Sequence, residues 1–187
     1  IRMPIHLRWE LYPIPHEKKE GSYFEEIDWW KKPRKKHYFN QLIFMLQEIL
    51  FIRALYHHNR KMWYASFPFH FGLYLIIGWL FLLVIGALLN AFGIVNNLTE
   101  IIQNLAIIFG AGGFILGIIG SLGLIIRRAT AEELKDYTAP EDYFNLFFIL
   151  AVLGSGLLAW LFSDEKFLIM KDYLKGLITL KPIIIED

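Results

Sequence analysis

Three stretches of the chain are apolar at almost every position, and none shows the strict alternation of a strand. Residues 67–89 read FPFHFGLYLIIGWLFLLVIGALL. They hold no Asp, Glu, Lys or Arg, and His70 is the one group there able to take a charge near neutral pH. A helix that crosses a bilayer needs about 20 apolar residues. This stretch therefore predicts a first span over 68–89. Similar runs predict a second span over 101–126 and a third over 143–162. The expected fold is all-α, a polytopic membrane bundle with three spans.

The punctuation between the runs agrees with this division. Pro68 suits the first turn of a helix, where a missing N–H is harmless. Trp63, Tyr64 and Phe67 mark the membrane surface ahead of it. Asn90, Gly93, Asn96 and Asn97 predict a short turn, and Thr99 and Glu100 the start of the second span. Arg127 and Arg128 stop that span, and TAEELKDYTAPED links it to the third. Asp164, Glu165 and Lys166 lead out of the membrane into a tail over 164–187.

Upstream lies a polar head over 1–66. Its first 38 residues mix prolines, aromatics and charges and predict turns. Residues 39–60 are more regular: Leu42, Met45, Leu46, Ile49, Ile52 and Tyr56 recur at 3–4 spacing. Gln47, Glu48 and Arg53 interrupt the run too often for a span. An interfacial amphipathic helix is expected there, with a short helix buried against a soluble partner as the alternative.

Composition sharpens the class. The 187 residues are 56% hydrophobic, with a mean hydropathy of +0.41. The absence of cysteine excludes a cysteine-ligated iron–sulfur cluster, a Cys-based zinc site and a disulfide on this chain. The net charge of +1 hides an asymmetry: residues 1–67 hold 12 Lys/Arg against 7 Asp/Glu, whereas loop 90–100 holds no Lys or Arg. The positive-inside rule places the head and the 127–142 linker in the cytoplasm, and loop 90–100 and the tail outside.

Chemistry has few places to reside. His70 is the leading site candidate, because an ionisable group inside a span is a functional hypothesis by default. A histidine bonded to a neighbouring helix, a haem ligand, and a proton or quinone site are the three readings. Phe67, Phe69, Phe71, Tyr74 and Trp79 are expected around it, with Gly72 leaving room. The second span carries Gly110, Gly113, Gly117 and Gly120 on one face, suited either to close helix packing or to a flat macrocycle. In the head, HLRWELYPIPHE crowds His6, Arg8, Trp9, Glu10, Tyr12, His16 and Glu17 together. Such a phrase reads either as an ion-paired turn or as donors and proton relays for a quinone, with Trp9, Trp63 and Phe67 as an apolar wall. His57 and His58 are adjacent in a helix and make a poor chelating pair. No nucleophile or metalloprotease motif occurs.

At HLRWELYPIPHE, GSYFEEIDWW, EILFIRALYHHNRKMWYASFPFHFGLY and YFNLFFILAVLGSGLLAWL the chain resembles cytochrome b-type membrane subunits related to the respiratory nitrate reductase gamma subunit. The nearer resemblance is to the branch that accompanies heterodisulfide-reductase-like iron–sulfur proteins. It implies five membrane helices, haem b in one or two copies and electron exchange with menaquinone or another quinone. It also implies an iron–sulfur partner or a multihaem cytochrome c, in the inner (cytoplasmic) membrane of an organism capable of anaerobic respiration. FHFG matches the ligand-bearing region and carries His70 over as an axial ligand to haem iron. His6, Glu10, Tyr12 and His16 become tentative quinone or haem surroundings. The family's second histidine, about ten residues on, is replaced here by Leu80. A helix before Ile1 and a final, ligand-bearing helix after Asp187 are also expected from the resemblance. The leading function is an electron-transfer subunit, and the alternative is a haem-free membrane anchor.

Overall fold

A computed structural model of the chain describes residues 38–135 and 138–181. The chain divides into two units, Ile1–His58 and Asn59–Asp187. The head residues His6, Trp9, Glu10, Tyr12 and His16 lie outside the described residues.

In the first unit, α1 spans Tyr38–Phe51 and α2 spans Arg53–His58. The single helix expected over 39–60 is therefore broken, at Ile52, whose φ is +47°. The residues that interrupt the apolar pattern hold the corner. The Glu48 carboxylate accepts from Ala54 N at 3.0 Å, and Arg53 Nη1 donates to Gln47 Oε1 at 2.6 Å. Leu42, Met45, Leu46 and Ile49 are exposed.

The second unit contains three helices long and apolar enough to cross a membrane: α3 (Arg60–Ala91), α4 (Asn97–Thr130) and α6 (Pro140–Phe162). At 1.5 Å per residue they are about 48, 51 and 35 Å long. A short α5 (Glu132–Lys135) lies in the linker, and α7 (Leu168–Thr179) follows α6. The protein is thus an all-α, multi-pass membrane bundle.

Caps explain why the first two of these helices begin before the hydrophobic runs. Asn59 caps α3 by accepting from Met62 N at 3.0 Å, so Pro68 sits inside the helix and not in its first turn. The cap outweighs the proline signal. Asn96 caps α4 by accepting from Leu98 N and Thr99 N, while Thr99 Oγ1 accepts from Asn96 N. Between them Gly93 takes a φ of +73°, which favours glycine. Pro140 opens α6, where Asp142 Oδ2 accepts from Ala139 N at 3.0 Å. Two ion pairs close the linker end: Arg127–Glu133 at 3.0 Å and Arg128–Asp142 at 3.2 Å.

Helices α3 and α4 run antiparallel with their backbones in contact. An added Cβ on Gly120 would stand 2.6 Å from Phe69 Cβ, and one on Gly123 3.1 Å from Ala65 Cβ. Helix α6 packs on the same side of α4, with Leu153 Cδ1 2.7 Å from a Cβ built on Gly117. Trp79, Leu83, Ala106, Phe114, Leu153 and Phe167 form one core cluster. Ala65, Phe69, Leu124 and Leu146 form a second, nearer the start of α3.

The region expected as a tail contains α7, which packs alongside α3. The corner before it is tightly specified. Asp164 accepts from Leu168 N at 2.7 Å and Met170 N at 3.0 Å, capping α7 from upstream. Trp160 Nε1 donates to Glu165 O at 2.8 Å. Phe167, at φ +54°, then drops its ring into the core beside Trp79.

Candidate functional site

His70 lies in α3, two residues after Pro68, and is partly buried. Its Nδ1 is 2.8 Å from Ser66 O and 3.3 Å from Ser66 Oγ. A carbonyl oxygen only accepts, so Nδ1 carries the proton and donates. Nε2 is bonded to no other group among the described residues. Pro68 has no N–H to give Tyr64 O, and the helix continues through it. His58 makes the same Nδ1 bond to Ala54 O, at 2.8 Å. The two histidines differ in setting: His70 lies in a membrane-length helix, and His58 in the short α2.

The aromatic surroundings are narrower than the sequence suggests. Phe69 meets the His70 ring edge-on at 5.2 Å. Trp63, Phe67 and Phe71 form a stacked ladder, at 4.7 and 5.5 Å between successive centroids. Trp79 does not belong to this set. It lies nine residues on, about 14 Å along the axis, and packs on Phe114 and Phe167. Nor does Gly72 leave room beside His70: its open side is taken by the backbone of α4 at Gly113 and Gly117. The glycine face of α4 is likewise filled by α3 and α6, and so serves helix packing. Among the described residues no three His, Asp or Glu groups converge as a metal site.

Two cavities lie farther along the bundle, and neither was singled out by sequence patterning. One, of about 750 Å³, is walled by Trp79, Phe114, Trp160, Phe167, Met170 and Tyr173. Trp79 is 6% exposed, and its Nε1–H is buried without a hydrogen-bond partner. A buried donor left unpaired is costly. The other, of about 600 Å³, lies at the α3–α4 turn, with Asn90, Asn96, Thr99, Glu100, Gln103, Lys171 and Lys175 on its walls. Both depend on α7, whose docking has no periodic signature in the sequence.

A family model described as the nitrate reductase gamma subunit matches residues 54–184. The match takes in α3 to α7 whole. No curated protein and no solved structure matches the chain significantly.

Proposed function

The chain belongs to the nitrate reductase gamma subunit family, and we propose that it is a haem b-bearing subunit that moves electrons between a membrane quinone pool and an iron–sulfur partner in the inner membrane. The observation that carries this reading is the 2.8 Å contact between His70 Nδ1 and Ser66 O. A ligating histidine commonly gives its other ring N–H to a carbonyl, which sets the ring's orientation and raises its basicity. The bond from Nδ1–H to Ser66 O supports this role, with Nε2 as the proposed ligand atom. Bound haem b supplies a one-electron iron couple. The chain's own contribution is to hold and aim the imidazole. The Phe69 ring packs edge-on against it.

The quinone reading draws on a separate observation. A quinone headgroup needs apolar walls, and the cavity walled by Trp79, Phe114, Trp160 and Phe167 has aromatic walls. This is a second position for the quinone, beside the head residues His6, Glu10, Tyr12 and His16. The partner reading, an iron–sulfur protein of the heterodisulfide reductase kind or a multihaem cytochrome c, rests on the resemblance.

A reduced-minus-oxidised spectrum of the purified protein tests the proposal. Sharp b-type bands are expected, and His70→Ala should abolish those due to this site while helix content by circular dichroism stays constant. A wild-type complex that assembles with its partners yet lacks haem would establish the anchor reading instead.

A further inference from the structure

Helix α7 is inverted relative to a helix that borders water. Its exposed side carries Leu168, Ile169, Met170, Tyr173 and Leu177, with Asp172 among them. The partly buried side carries Lys171, Leu174 and Lys175. Lysines normally point their ammonium groups to solvent and rarely face a packed interior unpaired.

Lys171 is held in place by two contacts. Its stem passes over Gly86, where an added Cβ would be 3.4 Å from Lys171 Cδ. Its Nζ donates to Gln103 Oε1 at 2.6 Å. The other end of that amide is also committed, since Gln103 Nε2 donates to the Lys166 carbonyl. A carbonyl only accepts, so this bond fixes the amide with its oxygen toward Lys171. An ammonium has three donors, and Gln103 occupies one. Neither Lys171 nor Lys175 has a carboxylate partner among the described residues.

Both lysines line the cavity of about 600 Å³ at the α3–α4 turn. Asn96 and Thr99 bring the first turn of α4 to the same cavity, and with it the positive end of a long helix dipole. Glu100 is the one acid on the wall, so the lining retains net positive charge. This constellation calls for an anion. Its depth indicates which kind, because the turn joins two membrane-length helices and therefore lies at the level of lipid headgroups. The exposed apolar side of α7 borders the same region.

We propose that Lys171 and Lys175, with Lys171 positioned by Gln103, bind the phosphodiester headgroup of an anionic phospholipid at the α3–α4 turn. This assignment goes beyond the electron-transfer reading and does not depend on haem. A lysine near a membrane surface contributes enough to anionic lipid binding that losing two should weaken it about thirtyfold.

Native mass spectrometry of the full chain in neutral detergent provides the test, with phosphatidylglycerol and phosphatidylcholine as probes. Wild type should retain phosphatidylglycerol in preference to phosphatidylcholine. The double variant K171Q/K175Q should lose that preference, K171R/K175R should keep it, and K135Q, outside the cavity, should match wild type. Equal retention of the two lipids by wild type would overturn the proposal, and so would undiminished preference in K171Q/K175Q. Displacement of phosphatidylglycerol by millimolar inorganic phosphate would also overturn it, by assigning the site to free phosphate. Should K171Q/K175Q lose helix content, the wild-type preference and its response to phosphate decide the matter alone.

Discussion

A Cβ placed on Gly72 would stand 2.8 Å from Gly117 Cα and 2.9 Å from Gly113 O. The obstruction is backbone, which cannot rotate away as a side chain does. Helices α3 and α4 therefore meet main chain to main chain, as small residues permit in membranes. Gly72→Leu should separate them at a cost of about 3 kcal/mol or more, at or above the upper end of ordinary overpacking. Gly154 has nothing within 4 Å of an added Cβ, so Gly154→Ala should be tolerated. Thermal unfolding in detergent, followed by a thiol-independent probe, checks both. Equal melting temperatures for the two variants would contradict the close contact.

Phe167 sets two effects against each other. Its left-handed backbone costs about 1–2 kcal/mol in a residue with a Cβ. Its ring is 4% exposed and meets Trp79 edge-on at 4.9 Å. Burying a phenylalanine contributes about 2–3 kcal/mol, and an aromatic pair about 1 kcal/mol more, so the ring outweighs the strain. Phe167→Ala should cost about 3–5 kcal/mol and release α7. Hydrogen exchange at 168–179 should rise in that variant while exchange in the middle of α4 is unchanged. Unaltered protection of α7 would show that its docking relies on Lys171 and Gln103 instead.

The parts of this structure that repeat were legible in the sequence. Long apolar runs gave the three membrane-length helices, and the spacing of Gly110, Gly113, Gly117 and Gly120 gave a packing face. Features that depend on single partners were not. Pro68 looked like a helix start because local propensity favours it there, yet the Asn59 side chain starts the helix nine residues earlier. Trp79 looked like a neighbour of His70 by proximity in a list of aromatics, but nine residues along a helix carry it to another layer. Helix α7 was hidden because its lysines face inward and its apolar residues outward, the reverse of the water-soluble pattern. At the site, FHFG singled out His70, while the Ser66 carbonyl that sets its tautomer is a backbone group without a sequence signature.

The linker after α4 should respond to acid. A bond from its own backbone N–H, and then the Arg127 guanidinium, hold the Glu133 carboxyl below the usual carboxylate range. A carboxyl lowered in the folded state contributes stability above its ordinary pKa, and that contribution is lost as pH falls through the folded value. The Arg127 contact should therefore persist at neutral pH and fail only in acid below the ordinary glutamate range. Arg127→Gln should raise the Glu133 pKa part of the way, since the backbone bond remains. NMR titration of labelled glutamate in micelles measures both, and a Glu133 pKa insensitive to Arg127→Gln would remove the pair from the account.

We predict the orientation from the loops: Arg127 and Arg128 close α4 on the side where α3 begins, whereas the turn over 92–96 contains no Lys or Arg, although Lys171 and Lys175 of α7 lie at that end. A cysteine at Asn96 should react with an impermeant maleimide added to intact cells, and one at Lys135 should not. Preferential reaction at position 135 would invert the bundle and place the phospholipid cavity in the inner leaflet.

The proton on His70 Nδ1 is the most discriminating feature, because it can be read without any cofactor. The carbonyl of Ser66 lies at 2.8 Å and the hydroxyl at 3.3 Å, so the carbonyl should dominate. Ser66→Ala removes only the weaker acceptor. The imidazole should remain protonated on Nδ1, with ring 15N shifts of selectively labelled protein unchanged in pattern. Pro68→Ala restores an N–H for Tyr64 O and should stabilise α3 by up to about 3 kcal/mol. The Ser66 carbonyl lies four residues before His70 and is not the group Pro68 leaves unpaired, so the variant should gain thermal stability and keep the Nδ1 bond. Protonation on Nε2 in the wild-type chain would overturn this account, because the atom argued to face iron would then carry a hydrogen.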